Sequence, residues 1–475
     1  MKDHTDVFVN RIHDASMRIL LETGIRFHSG KAIDTLRQNG INTEGDVAFF
    51  KEDQLIKWVE KAPKTVALYA RNPVYDMQIG GDKVYPAPCY GAPSVIGPDG
   101  TIRSAIMKDY TDFAKLFHHN PVYKINGGVL VQPSDIPVEK SPQIMHYAAL
   151  LSSDKCLMVS SGNHKALQTV INMTGELFDG TEGLPEKPRI LTIVNTNSPL
   201  EYHAVMLDTL FIFAEYGQPI VIAAAAMAGT TAPITMAGAM ALVNAEILSG
   251  IALTQMIRPG TPVIYASQTS NADMRNCFMA IGSPEGAMSY EVCALMAKYY
   301  GLPCRGGGAL TDALTVGAQS GYESMMNYLV CCQSKINLII HSAGIMNSYG
   351  AVSYEKLMCD FEIISMVDRF LNGMDFDADA VPFELIKSVG HGGEYMTSNH
   401  TLKHCREAAF EPKLSLRGNS KGYGQFSQNI SEMLKNSLES YKRPDIDAHK
   451  LKALEVMLNK EGVDQELLDS IKSYI

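Results

Sequence analysis

The chain has 475 residues, 46% of them hydrophobic, with a net charge of −10 and a pI near 5.7. It carries no long basic tract, which argues against a nucleic-acid partner. Its nine scattered cysteines form no CxxC pair; this argues against a disulfide-built scaffold and for a reduced, cytoplasmic chain.

The N-terminal MKDHTDVFVNRIHDAS is polar and amphipathic rather than a signal peptide. Residues 5–60 read as helices: Val9, Ile12, Met17, Leu20 and Leu21 fall near helical spacing, and a second run from Glu52 to Lys61 ends before Pro63. From Thr65 the pattern shortens into β-like runs (TVALYARN, MQIGG, KVYPAP, PSVIGPDGTIRS) separated by Gly, Pro and AspGly turns. Residues 1–105 are therefore expected to form a helical cap with a small antiparallel sheet.

Beyond residue 105 one unit recurs: an apolar β-branched run, small or polar residues, then a helix. Strands are expected to begin near Val122, Cys156, Arg189, Pro219, Thr261, Leu302, Ile336 and Phe383. Helices are expected over 138–152, 163–178, 200–217, 232–258, 284–300, 317–333 and 353–371. Alternation of this kind implies parallel pairing, and eight units imply a closed (β/α)8 TIM barrel over residues 106–400, followed by a helical extension over 401–475. An open doubly wound sheet is the alternative; it calls for GxGxxG after its first strand, which is not found there. The uncharged stretch Tyr216–Ala245 contains Pro219, Gly229, Pro233 and Gly238, so a buried strand, loop and helix explain it better than a membrane span.

The expected strand ends are polar, small and mostly uncharged. They include Asn195, Gln268, Gly306-Gly307-Gly308, His341 and the run Gly390–Tyr395 with Gly393. Three consecutive glycines allow positive φ or close approach of another group. Barrel enzymes act at this rim. His341 ends the apolar run INLIIH and is the candidate catalytic residue; Asp312, just past the glycines, could orient it, cap the next helix or face a cationic ligand. Arg305 and Asn195 are candidate donors to a carboxylate. Tyr90, Tyr349 and Tyr395 are candidates to surround a quaternary ammonium group through cation–π attraction. Gly306, Gly307, Gly308, Gln268 and Gly393 are candidates for the approach of a large flat cofactor. Metal sites read poorly. His118-His119 is expected to be a loop pair, and Cys331-Cys332 lies inside a helix without preceding glycines.

The stretches GAPSVIGPDGTIRSAIMKDYTDFAKL, LVNAEILSGIALTQMIRPGTPVIYA, GSPEGAMSYEVCALMAKYYGLPCRGGG, TDALTVGAQSGYESM and GGEYMTSNHTLKHCREAAFEPKLSLRG together resemble the trimethylamine methyltransferase (MttB) superfamily over residues 10–420. The resemblance implies a (β/α)8 barrel moving a methyl group from a methylated amine to the Co(I) of a corrinoid protein. Trimethylamine-specific members carry pyrrolysine in the barrel. Here Gly307, Gly308 and Ala309 occupy that neighbourhood, so the resemblance implies a non-pyrrolysine member acting on a quaternary amine such as glycine betaine, proline betaine, carnitine or γ-butyrobetaine. A corrinoid protein of the DxHxxG type is the implied partner, supplying a cofactor this chain does not hold tightly. The nearest match here, Asp447-Ala448-His449-Lys450-Leu451-Lys452, has Lys in place of Gly. A non-catalytic betaine- or corrinoid-binding barrel and a zinc-dependent barrel methyltransferase are the alternatives. The amphipathic run from Asp445 to Ile475 reads as a cap or as a homo-oligomer contact.

Overall fold

A computed structural model describes residues 2–377, 379–418, 422 and 424–475, the first few as backbone only. Eight parallel strands form one curled sheet: β1 (Tyr85–Pro86), β2 (Ile125–Gly127), β3 (Cys156–Val159), β4 (Ile190–Asn195), β5 (Ile220–Ala224), β6 (Val263–Ser267), β7 (Cys304–Gly306) and β8 (Leu338–Ile339). Each is followed by a helix: α1 (Met107–His119), α2 (Ser141–Ser152), α3 (His164–Leu177), α4 (Ala204–Glu215), α5 (Met236–Ile257), α6 (Pro284–Tyr299), α7 (Ala318–Gln333) and α8 (Tyr354–Leu371). The order runs β2 through β8 and then β1. The seam between β1 and β2 is closed just beyond the strands, where Gly91 N–H donates to Val129 O at 2.6 Å and Gln132 N–H to Ala92 O at 2.9 Å. The fold is a (β/α)8 barrel.

One strand differs from expectation. Residues Phe383–Val389 form a helix. The eighth barrel position is filled by Tyr85–Pro86, which pairs in parallel with β8. The run KVYPAP is thus a strand as its pattern suggests, but of the parallel barrel and not of a small antiparallel sheet; Pro86, rare in paired interior strands, is tolerated because the paired run is only two residues long. The short runs around it also belong to the barrel. Val66–Leu68 and Met77–Ile79 form an antiparallel hairpin. Its Val66, Leu68, Met77 and Ile79 join the barrel-interior cluster of Cys156, Met158, Leu191, Ile193, Val221 and Ala223, and so plug one end. The plugged end is the start of the strands, because Tyr69 N–H donates to Pro188 O and Asn72 N–H to Asp154 O.

The opposite end, the mouth, carries a second small sheet. Ser94–Ile96 pairs with Ile102–Ser104 on one side and with Ala351–Ser353 on the other, and Ala351–Ser353 pairs back on Ile345–Met346. The connections after β1 and after β8 thus share one sheet over the mouth.

Helix α5 is apolar on all sides because it is covered twice. The barrel takes one side and the N-terminal helix Lys2–Glu22 the other, where Ser16 Oγ donates to Ala241 O at 2.8 Å and accepts from Asn244 Nδ2 at 2.9 Å. Among the described residues α5 is the one helix long and apolar enough to cross a membrane, and most of that stretch is buried inside the fold. The C-terminal helices Ala448–Lys460 and Gln465–Tyr474 place Leu454, Leu458, Leu468 and Ile471 out of solvent against α1–α3. The apolar face of this tail is a cap on its own barrel. Exposed apolar side chains lie instead between 370 and 402, with Met374, Phe376, Met396 and Leu402 all more than three-quarters exposed.

Candidate functional site

Strand register places one row of interior residues at the mouth: Asn195, Ala223, Ala266, Arg305, Leu338 and Tyr85 are successive cross-strand partners. Two alanines next to Arg305 leave the width that a guanidinium needs. Arg305 is 3% exposed and has no carboxylate partner among the described residues; its Nε is buried without a hydrogen bond. Isolated buried charge is costly, by several kcal/mol for an unpaired ion. Burial draws the guanidinium pKa below its ordinary value, against the opposing pull of Tyr349, Tyr290, Cys293 and Tyr90 around it.

His341 follows β8 with φ 63° and its backbone N–H on Pro88 O at 2.9 Å. Its ring is buried and Nδ1 has no partner. Burial, and then the Arg305 charge, lower its pKa well below the usual imidazole value, so the ring is neutral. Tyr349 lies over it, ring centroids 5.1 Å apart, with its own hydroxyl buried and without a hydrogen bond. Gln268 donates to Tyr290 Oη at 2.8 Å while its Oε1 has no partner. Native interiors rarely leave several polar atoms unsatisfied side by side. Here the Arg305 Nε and His341 Nδ1 are orphaned in one cluster, and Tyr349 Oη and Gln268 Oε1 lack well-formed hydrogen bonds although Tyr349, Gln268 and Tyr290 lie close together. Tyr90 completes it, with burial holding its phenol protonated and the Arg305 charge acting the other way.

The three glycines serve space and not backbone twist, for none has a positive φ. A Cβ on Gly307 would stand 2.2 Å from Gln268 Nε2 and 2.6 Å from Tyr290 Oη; one on Gly308 would stand 2.7 Å from Ser342 Cα. Gly306 is less crowded, at 3.3 Å from Ile336.

Asp312 does not reach His341. Its carboxylate accepts from Ile281 N–H at 3.0 Å, Gly282 N–H at 2.9 Å and Ser348 Oγ at 2.7 Å. Ser348 sits in a turn in which Asn347, Ser348 and Tyr349 all have left-handed backbone, φ 51°, 50° and 70°. That conformation costs non-glycine residues roughly 1–2 kcal/mol each, less for Asn. Sequence reading missed this turn and Tyr290, which no local pattern marks.

The structure separates two candidates from the rest. Tyr395 and Gly393 are exposed on the segment after helix Phe383–Val389, and the strand end that was to carry them does not exist. Asn195, in contrast, does lie at the mouth; it is half-buried, in the same register row as Arg305.

His118 and His119 are the last turn of α1 and not a loop pair. Cys331 is buried and donates to Gly307 O, and burial pushes it and Cys332 up, the latter to about 12. The trio His28, Glu201 and His203 lies within metal-ligating distance where strand Ile25–Phe27 docks on 201–202, but Arg26 takes the other oxygen of Glu201 at 3.1 Å. Asp447 in the near-match to DxHxxG is a helix cap, accepting from His449 and Lys450 N–H.

A family model described as trimethylamine methyltransferase (MTTB) matches residues 3–463. The chain is 36% identical, over 96% of its length and 97% of the relative's, to a glycine betaine methyltransferase of Desulfitobacterium hafniense (strain Y51). It is 30% identical, over 92% and 93%, to a proline betaine:corrinoid methyltransferase of Eubacterium limosum. A crystal structure of the hydroxylamine MtmB complex superposes with a TM-score of 0.52 at 11% identity, covering 92% of this chain and 88% of the other, a likeness of fold. With residues 3–463 matched by the family model and relatives matched over more than nine-tenths of its length, the chain belongs to the trimethylamine methyltransferase family.

Proposed function

We propose that this chain is a pyrrolysine-independent methyltransferase that moves a methyl group from a betaine to the Co(I) of a corrinoid carried by a partner protein. The observation that carries the reading is the buried, unpaired guanidinium of Arg305 among Tyr90, Tyr290 and Tyr349. A betaine has a carboxylate at one end and a quaternary ammonium at the other. The carboxylate matches Arg305, with Asn195 and His341 as further donors; a charge-assisted hydrogen bond of this kind is among the stronger ones available. The ammonium has no N–H to donate, so aromatic faces must select it, at roughly 0.5–2 kcal/mol each.

The chemistry needs little more from the protein. The N–CH3 bond breaks with its electron pair staying on nitrogen, so the leaving group is a neutral tertiary amine. The acceptor cobalt supplies the pair for the new bond to carbon. The chain's part is to hold that bond in line and exclude water. His341, neutral and buried, binds and orients. Gly306, Gly307, Gly308 and Gln268 form the wall past which the acceptor approaches.

Two further points belong to the proposal. The setting is cytoplasmic, supported by nine cysteines none of which is in a disulfide. The protein is a homo-oligomer, supported by the exposed apolar side chains between 370 and 402; sedimentation at micromolar concentration tests this.

The decisive experiment mixes the protein with reduced cob(I)alamin and a panel of methylated amines, following methylcobalamin by its visible spectrum. Transfer from at least one betaine, and little from trimethylamine, is expected. Brisk turnover of trimethylamine, or none of any betaine, overturns the reading.

A further inference from the structure

Arg305 and His341 are nearly sealed from solvent, 3% and 5% exposed. A substrate cannot reach them unless part of the mouth moves. The turn Asn347–Gly350, between the paired strands Ile345–Met346 and Ala351–Ser353, is the element that lays Tyr349 over His341. Its three left-handed residues disfavour the conformation it adopts. Something outside the turn must hold it. Two contacts do so: Asn347 N–H on Ala313 O at 3.1 Å, and Ser348 Oγ on Asp312 at 2.7 Å. Asp312 is itself anchored on the other side by Ile281 and Gly282 N–H. Glu323 of α7 fixes the backbone on which it stands, accepting from Asp312 N–H at 2.9 Å. The carboxylate therefore ties the connection after β8 to the connection after β6.

We propose that Asp312 is a positioning residue: through the hydroxyl of Ser348 it latches a strained turn shut, and that latch holds the Tyr349 ring in place over His341, beside Arg305, when a substrate is bound. The turn is poised because its own backbone favours release. Substrate entry breaks the hydrogen bond to Asp312, and binding beneath Tyr349 restores it. The inference rests on this cluster being the substrate site.

Three variants test it. Ser348→Ala removes the latch and keeps the strain. Ser348→Gly removes the latch but relieves the strain, since glycine takes left-handed backbone freely. Asp312→Asn keeps the shape while losing the charge and one acceptor. Amide hydrogen exchange over residues 345–351 is expected to quicken about tenfold in Ser348→Ala, with its thermal midpoint unchanged, and less in Asp312→Asn, whose amide oxygen still accepts from Ser348 Oγ while Gly282 N–H loses its acceptor. Ser348→Gly should fall between Ser348→Ala and the wild type. For transfer, KM for the betaine should rise in the same order while kcat at saturation changes less than twofold. A purely packing role for Ser348 predicts the reverse order, since alanine keeps the Cβ. The exchange readout requires no turnover, so it decides on the latch even if the panel assay fails. Unchanged exchange in Ser348→Ala overturns the proposal, as does a loss confined to kcat.

Discussion

The rings of His341 and Tyr349 stand 5.1 Å apart, tilted by 56°, on two residues that both hold left-handed backbone. The pairing seals the imidazole from water, and burial with the nearby Arg305 charge keeps it neutral well below the usual imidazole range. Methyl transfer should therefore show no acid limb centred near pH 6.5. His341→Ala should lower transfer by roughly tenfold or more through lost positioning, with the same flat profile from pH 6 to 8. An acid limb at pH 6–7 that vanishes in the variant would show that His341 titrates and that the cluster is wetter than described.

Arg305 is a buried charge whose Nε has no hydrogen bond. Arg305→Met should raise KM for a betaine about 10- to 100-fold, the loss of a charged hydrogen bond. The same change should raise the thermal midpoint, because it removes an uncompensated buried charge. Measuring both on one variant is the check; a fall in stability would mean that Arg305 has a structural partner.

At Tyr90 the ring face is expected to matter more than the hydroxyl. Tyr90→Phe should leave KM for the betaine within about twofold, while Tyr90→Ala should raise it roughly two- to thirtyfold, the range of one cation–π contact. Equal effects would make the hydroxyl the working group.

Two glycines should behave oppositely. Gly307→Ala forces a methyl against Gln268 and Tyr290 and should cost about 1–3 kcal/mol, as overpacking does. Gly321, inside α7 with open space around it, should gain up to about 1 kcal/mol as alanine. Denaturant midpoints compare the two.

Much of this was legible beforehand. Seven of the eight strands and the helices after them follow from repeated apolar runs, and of the candidate site residues the fold brings Arg305, His341, Tyr90 and Tyr349 near one another. The run KVYPAP reads as β-like, but nothing local to it shows that Tyr85–Pro86 pairs in parallel with Leu338 and Ile339, more than 250 residues away, and so belongs to the barrel and not to a separate antiparallel sheet. Tyr395 and Gly393 are expected at the mouth only because a strand is expected near Phe383, where the chain forms a helix instead. The work of Asp312 was hidden for a different reason. Its partners Ile281, Gly282 and Ser348 are 30 to 36 residues away along the chain, a separation at which no periodicity speaks.

Acid should destabilise the fold through its buried histidines. Burial lowers His118 to about 4 and His146 to about 3, and His341 is lowered too. A base with a depressed folded pKa contributes full stability above its unfolded value near 6.5 and loses it as pH falls, because the unfolded chain binds more protons. Between pH 6.5 and 4 each such group should remove up to about 1.4 kcal/mol per pH unit. His118→Gln should make the denaturant midpoint fall less steeply over that range; an unchanged slope would place His118 in water.

Because β1 precedes every other barrel strand and pairs with β8, the barrel's two ends meet only when residues roughly 250 apart have both been made. At ordinary synthesis rates β1 waits on the order of ten to fifty seconds for its neighbour. That closure also brings His341 N–H onto Pro88 O and Ser342 N–H onto Ala87 O, uniting the wall that carries Tyr90 with the one that carries His341. A nascent or broken chain lacking β8 therefore carries Arg305, Tyr90 and Tyr290 but neither His341 nor Tyr349 to set beside them, and it leaves the barrel open at the same point.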